Sequence, residues 1–349
     1  MAENAFIHAA VAGYFGRGAP EGPLGVFRRA AGGGAWAHVL DQAAAQCVVA
    51  HPTDPARVFA GTADGVWRST DRGATWQRTD FPDRGREIWS IAFDPADPSL
   101  MYAGGSPPSV YRSRDGGTRW TRLPDPMLPD RAHMPFACRV MRFAPHPTHG
   151  GVLYATLEVN GVMRSDDGGE HWTDCSEDLL RLAQQPHLKS RIVSDTENEG
   201  MLDGHAIAIS AADPDAVILA VRMGLFRSTD RGTTWQDMEV GRFSPVTYAR
   251  DIRVSPQDAN TLYAALSVAA SSTDGALFRS TDCGTTWQRF DKVSVHGTVM
   301  SVALDPRDPA RIALAARYGE VFATEDDGKT WHDMPLPAGV KDIYCLAVG

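Results

Sequence analysis

The stretch Ser69-Thr70-Asp71-Arg72-Gly73-Ala74-Thr75-Trp76 decides the fold. Its pattern, Ser/Thr-x-Asp-x-Gly-x-x-Trp, returns at residues 113–120, 165–172, 228–235, 280–287 and 324–331. A seventh, eroded copy leads from Gly25, Val26, Phe27 and Arg28 to Gly33 and Trp36, with Ala31 in place of the Asp. Successive tryptophans of the series stand 40 to 63 residues apart, the period of a propeller or another repeat array.

Short aromatic or β-branched runs such as GVWRS, SVYRS and GLFRS precede the octets, and short polar runs follow. Upstream lies a further pair of strands around a Pro/Asp turn, as in IAFDPADPSLMYAG. Each unit therefore reads as four short antiparallel strands, and such units repeated about an axis make a β-propeller. The octet falls on the hairpin between third and fourth strands. There the Asp carboxylate accepts backbone N–H groups, the Gly supplies positive φ, and the Trp packs between sheets. Asp71, Asp115, Asp167, Asp230, Asp282 and Asp326 are read as structural, because one active site does not need six copies. The run 342–348 reads as a first strand with nothing after it, and 6–14 as a second strand with nothing before it. Joined, they complete a blade and remove exposed sheet edges. The expectation is one all-β domain over 1–349, a seven-bladed β-propeller closed by both termini, with 176–204 inserted on its top face.

On these octets the chain resembles the Asp-box (BNR) repeat proteins: sialidases, sortilin-type receptors, xyloglucan-degrading glycosidases and photosystem II assembly factors. The resemblance spans nearly the whole chain and is specific for fold, not for function. Sialidases are six-bladed and carry an Arg-Ile-Pro motif and a three-Arg cluster. This chain departs from that pattern, so no sialidase catalytic residue is carried over.

Composition narrows the class. With 43% hydrophobic residues the chain of 349 has material for a core, and no apolar run reaches the ~18 residues of a membrane span. A net charge of −9 argues against nucleic-acid binding, which needs a basic face. The start MAENAFIHAAVAGYF lacks a basic region and a clean apolar stretch, so no secretory signal is expected. Five cysteines without a CxxC pair suit a reducing, cytoplasmic setting.

Function is sought where equivalent positions diverge. The inner strands are aligned on Pro52, Pro95, Pro145, Pro256 and Pro306, with Ala211 in the fifth blade. The rows two and four residues earlier are apolar and read as core. Six residues earlier stand Gln46, Trp89, Arg139, His205, Arg250 and Met300, with Tyr344 from the terminal strand. Two further out come Ala44, Glu87, Ala137, Asp203, Tyr248, Thr298 and Asp342. These rows should ring the channel mouth opposite the octet turns, where the long connections 124–136, 176–204 and 241–247 also gather. In 176–204, Ser176 with Leu179, Leu180 and Leu182 reads as a capped amphipathic turn.

Arg139 and Arg250 suit a carboxylate or phosphate, Trp89 with Tyr344 or Tyr248 would wall a sugar-like or aromatic acid, and Glu87, Gln46 and Asp342 complete the rim. His205, oriented by Asp203 or assisted by Tyr344, could serve as general acid or base. The set suits β-elimination beside a carboxylate and equally hydrolysis of an ester, lactone or glycoside. A glycosidase carboxylate pair could come from Glu87, Asp203, Asp342 and Glu199. No cofactor is expected, although a divalent cation on His205 with Asp203, His133 or His296 stays open; His133 and His296 otherwise count as binding residues. The expected function is a lyase or hydrolase for a small anionic or carbohydrate-like ligand. The alternative is a non-catalytic scaffold or assembly factor that binds protein.

Overall fold

The computed structural model describes residues 5–13 and 22–349. Among them, seven four-stranded antiparallel sheets stand as blades around one axis. Taken round the ring, the inner strands are Ile343–Val348, Ala45–Ala50, Glu87–Phe93, Val140–Pro145, Gly204–Ser210, Tyr248–Val254 and Val299–Leu304. Each packs against the next, and the last returns to the first. The chain is a seven-bladed β-propeller.

The first blade joins the two ends of the chain. Phe6–Val11 pairs antiparallel with Ile343–Val348, setting Ile7 opposite Val348 and Ala9 opposite Leu346. On its other side it pairs with Gly25–Ala30. The strand stops at Val11; Tyr14, the expected end, lies outside the described residues.

The octet turns are built as their sequence dictates. Ser69 Oγ donates to Asp71 Oδ1 at 2.7 Å, and the same oxygen accepts the N–H groups of Ala74 (3.0 Å) and Thr75 (2.8 Å). Thr75 Oγ1 donates to Oδ2 at 2.6 Å. Residues 72 and 73 are both left-handed, with φ of 60° and 76°. A side chain at Gly73 would bring its Cβ within 2.4 Å of His8 Nε2, so the glycine serves both the turn and the packing of the neighbouring blade. In the last copy, the backbone N–H of Thr330 and then its hydroxyl hold the Asp326 carboxyl down at about 2. Trp235 and Trp287 are buried between blades, and the indole of Trp287 donates to Gly284 O at 3.1 Å.

Between the fourth and fifth blades the chain forms two short helices, Glu177–Leu182 and Glu199–Leu202. Leu179 and Leu182 are buried. Ser176 does not cap the first helix with its side chain. Its hydroxyl instead accepts the N–H of Val162 at 2.9 Å and donates to Val162 O at 3.2 Å, tying the insertion to the sheet. No helix among the described residues is long and apolar enough to cross a membrane.

Candidate functional site

Every inner strand slips by one residue against its partner. The breaks fall between Ala45 and Cys47, Ile88 and Ser90, Val140 and Arg142, Gly204 and Ala206, Ala249 and Asp251, and Val299 and Ser301. In the closing strand the break lies between Ile343 and Cys345. A bulge re-aims its extra residue. The seven extra residues, Gln46, Trp89, Met141, His205, Arg250, Met300 and Tyr344, line one cavity on the channel axis.

One member differs from the sequence alignment: Met141, not Arg139, occupies the fourth blade's place. The backbone gives the reason. His146 N–H donates to Val152 O as His51 N–H donates to Arg57 O, so Pro147, not Pro145, is the counterpart of Pro52. The imidazoles confirm the pairing: His146 Nδ1 accepts the N–H groups of Thr148 and His149 as His51 Nδ1 accepts those of Thr53 and Asp54. Arg139 therefore stands one level further out, beside Glu87, Asp203, Tyr248 and Asp342.

The cavity is narrow, about 20 Å³, room for about one water. Trp89 and Tyr344 meet edge to face, with centroids 5.3 Å apart. Arg139 lies over the Trp89 ring at 4.2 Å, and the Trp89 indole donates to Glu87 Oε2 at 3.2 Å. His205 Nδ1 donates to Ala249 O at 2.7 Å. That leaves Nε2, which stands 3.2 Å from Tyr248 Oη and 3.2 Å from Asp203 Oδ2. Arg222 Nη2 donates to the same Asp203 oxygen at 2.6 Å. Asp203 Oδ1 is buried without a hydrogen-bond partner among the described residues, as is Gln46 Oε1. Arg250 is 8% exposed and faces this cavity. No described residue hydrogen-bonds its guanidinium or sets a carboxylate within 4.0 Å of it.

Three charged residues here escaped the sequence reading. Glu158, Arg222 and Arg317 each come first after the second strands Leu153–Leu157, Asp213–Val221 and Ile312–Ala316. The second and sixth blades put Ala63 and Val268 there. The same comparison of blades, applied to this hairpin column, would have found them. Glu158 Oε2 lies 3.0 Å from Arg139 Nε, Arg222 holds Asp203, and Arg317 Nη2 reaches Met300 Sδ at 3.4 Å.

The titrations separate. Burial pushes the Glu158 carboxyl up to about 6; Arg139 opposes this and the Asp203 charge adds to it. Burial also acts to raise Asp203, but His205 and Arg222 outweigh it and hold that carboxyl below the usual range. Burial lowers His205, with Asp203 only partly opposing. Near neutral pH the imidazole is uncharged beside an ionised carboxylate.

Other expected members lie elsewhere. His133 is exposed, with Nδ1 3.2 Å from Asp195 Oδ2, and His296 is exposed, with Nδ1 2.9 Å from Glu320 Oε1. Neither joins His205, because both ride on outer connections. Glu199 is buried within the insertion, where Oε2 accepts the N–H groups of Ile192, Val193 and Ser194. Asp342 holds φ of 58° and its N–H donates to Arg317 O at 2.7 Å. Among the described residues no three His, Cys, Asp or Glu side chains converge as a metal-binding group, so the expected cation ligands are not assembled around His205.

No protein-family model matches the chain. Among curated proteins it is similar to the xyloglucanase Xgh74A of Acetivibrio thermocellus, 27% identical over 246 residues, 59% of this chain and 27% of that protein. A xyloglucanase of Paenibacillus sp is 27% identical over 226 residues, 54% of this chain and 20% of that protein. The chain thus spans about a quarter of the length of the curated relatives it matches. Of solved structures, the GH74 xyloglucanase from Xanthomonas campestris superposes with a TM-score of 0.60 at 19% identity, covering 83% of this chain and 45% of that one. YCF48 bound to D1 peptide superposes with a TM-score of 0.53 at 15% identity, covering 93% and 88%. These structural likenesses carry the fold.

Proposed function

We propose that the polar end of the channel hydrolyses a glycosidic bond in a small, acidic, sugar-like molecule. The observation that carries this reading is the arrangement around Arg250: His205 Nε2 stands 3.2 Å from Asp203 Oδ2, and Glu158, a carboxyl that burial pushes up, stands 3.0 Å from Arg139 Nε. Two titratable groups driven apart by their surroundings are what acid–base hydrolysis needs. The curated xyloglucanase relatives support sugar chemistry. The five free thiols suit a cytoplasmic setting.

In this reading His205 Nε2 takes a proton from a water in the narrow chamber while hydroxide adds to the anomeric carbon. The bond to the leaving oxygen breaks, and that oxygen takes the proton of Glu158. Asp203 stabilises the imidazolium that forms. Arg250, a buried cation with no described carboxylate within 4.0 Å, pairs with the acidic group of the substrate.

The test is turnover of a panel of aryl glycosides and glycuronides by the wild-type chain and by Arg250→Met. Cleavage of a glycuronide, with KM raised at least ten-fold in the variant, is expected. No turnover across the panel, or a preference for neutral sugars unchanged in the variant, overturns the reading. A second reading, a protein-binding scaffold, rests on the exposed Met127, Ile192, Val193, Val268 and Tyr318, all on connections at this same end. It becomes the better account if the panel is inert.

A further inference from the structure

The opposite end of the channel, on the side of the octet turns, opens into a cavity of about 550 Å³. That volume lies within the ~300–1,000 Å³ of small-molecule sites. Its walls are the two rows that read as core in the sequence. Ile91, Ile207 and Ile252 stand deeper, and Phe93, Ile209 and Val254 stand nearer the mouth, where they are only half-buried. Prolines, Pro52 and Pro256 among them, form the rim.

The floor is charged. Arg142 Nη2 donates to Asp251 Oδ1 at 3.3 Å, and Arg253 Nε donates to Oδ2 at 3.0 Å. Asp251 is fully buried and already accepts the N–H groups of Ile252 and Val302. Two guanidinium groups thus share one carboxylate, leaving one positive charge over. Arg142 Nε is buried with no acceptor among the described residues. Both arginines line the cavity, with side chains 16% and 27% exposed. Asp94, the carboxylate at the rim, is turned into its own turn, where Oδ1 accepts the N–H groups of Ala96 and Asp97.

We propose that this cavity binds a singly charged amphipathic anion, a medium-chain alkyl carboxylate, with its head on Arg253 and Arg142 and its chain along the apolar walls. The charge left over on the floor selects the class. A neutral alcohol of equal length would bury the same apolar surface but leave the guanidinium charge without a counterion. An alkylammonium would be repelled. Arg142 also lines the polar chamber on its other side, but the proposal does not depend on the hydrolytic reading.

The test is isothermal titration calorimetry with decanoate, decanol and decyltrimethylammonium, each below its aggregation limit. Decanoate should bind at least ten-fold more tightly than decanol, and the cation not at all. Arg253→Met should remove the preference for decanoate, and Val254→Trp, which fills the cavity near its mouth, should weaken both decanoate and decanol ten-fold or more. Thermal melts report whether each variant is folded; if Arg253→Met is not, Val254→Trp and the wild-type selectivity decide alone. Equal binding of acid and alcohol, undiminished binding by Val254→Trp, or no binding at millimolar decanoate overturns the proposal.

Discussion

Glu158 Oε2 lies 3.0 Å from Nε of Arg139, yet the Glu158 carboxyl titrates near 6 rather than in the usual range. Desolvation outweighs the ion pair, because the glutamate stands in an enclosed site that also holds the Asp203 charge. Removing the cation should therefore move the titration further up. Carbon-13 NMR of labelled glutamate carboxyls should show one group near 6 in the wild type and a higher midpoint in Arg139→Met. A Glu158 midpoint at or below the ordinary glutamate value would contradict this.

Arg250 carries a prediction for stability. No described carboxylate lies within 4.0 Å of it, yet Glu158 and Asp203 favour its charged form against burial, and removing one charge of a buried set is destabilising. Arg250→Met should lower the thermal midpoint, while it loses affinity for acidic ligands. An unchanged or raised midpoint would contradict this.

The Asp251 carboxylate predicts a larger loss. It answers two arginines and two backbone N–H groups, so Asp251→Ala leaves buried cations and donors unmatched. A loss of ~3–5 kcal/mol in urea unfolding is expected. Asp251→Asn, which keeps the oxygen, should lose less.

His8 sets an acid limit. Burial lowers its pKa to about 4, with the hydrogen bond to Arg72 O partly opposing. The unfolded chain binds the proton near pH 6.5 and the folded one only near 4, so stability falls as pH drops through that window. The octet carboxyls held at about 2 titrate below it. His8→Gln, which can still donate to Arg72 O, should remove a pH-dependent loss of ~3 kcal/mol between pH 7 and pH 4. Urea unfolding at both pH values checks it: equal pH slopes in wild type and variant would contradict the assignment.

The fold was legible because its signal is local and repeated. The octet needs two left-handed residues, such as Cys283 and Gly284 in the sixth blade, and a carboxylate over the turn, so each copy announces the same hairpin. The site was half legible. His205, Arg250, Trp89 and Tyr344 broke their row and converge as expected. Arg139 was misplaced by two residues because Pro145 and Pro147 both fit the alignment, and only the backbone ladder at His146 separates them. Glu158 was not legible because it lies in the hairpin after the second strand, outside the inner-strand rows whose divergence marks the site. The apolar rows at Phe93 and Ile209 read as core because sequence periodicity cannot distinguish a packed axis from an open one.

The central claim is that Glu158 delivers a proton to the leaving group, and leaving-group dependence tests it most directly. The measurement is kcat/KM of wild type and Glu158→Gln on a methyl glycuronide and on its 2,4-dinitrophenyl counterpart, whose phenolate departs without a proton. The account predicts a loss of ~10²–10⁴-fold on the methyl substrate and little loss on the dinitrophenyl one. Equal losses on both substrates, or no loss on either, would contradict it.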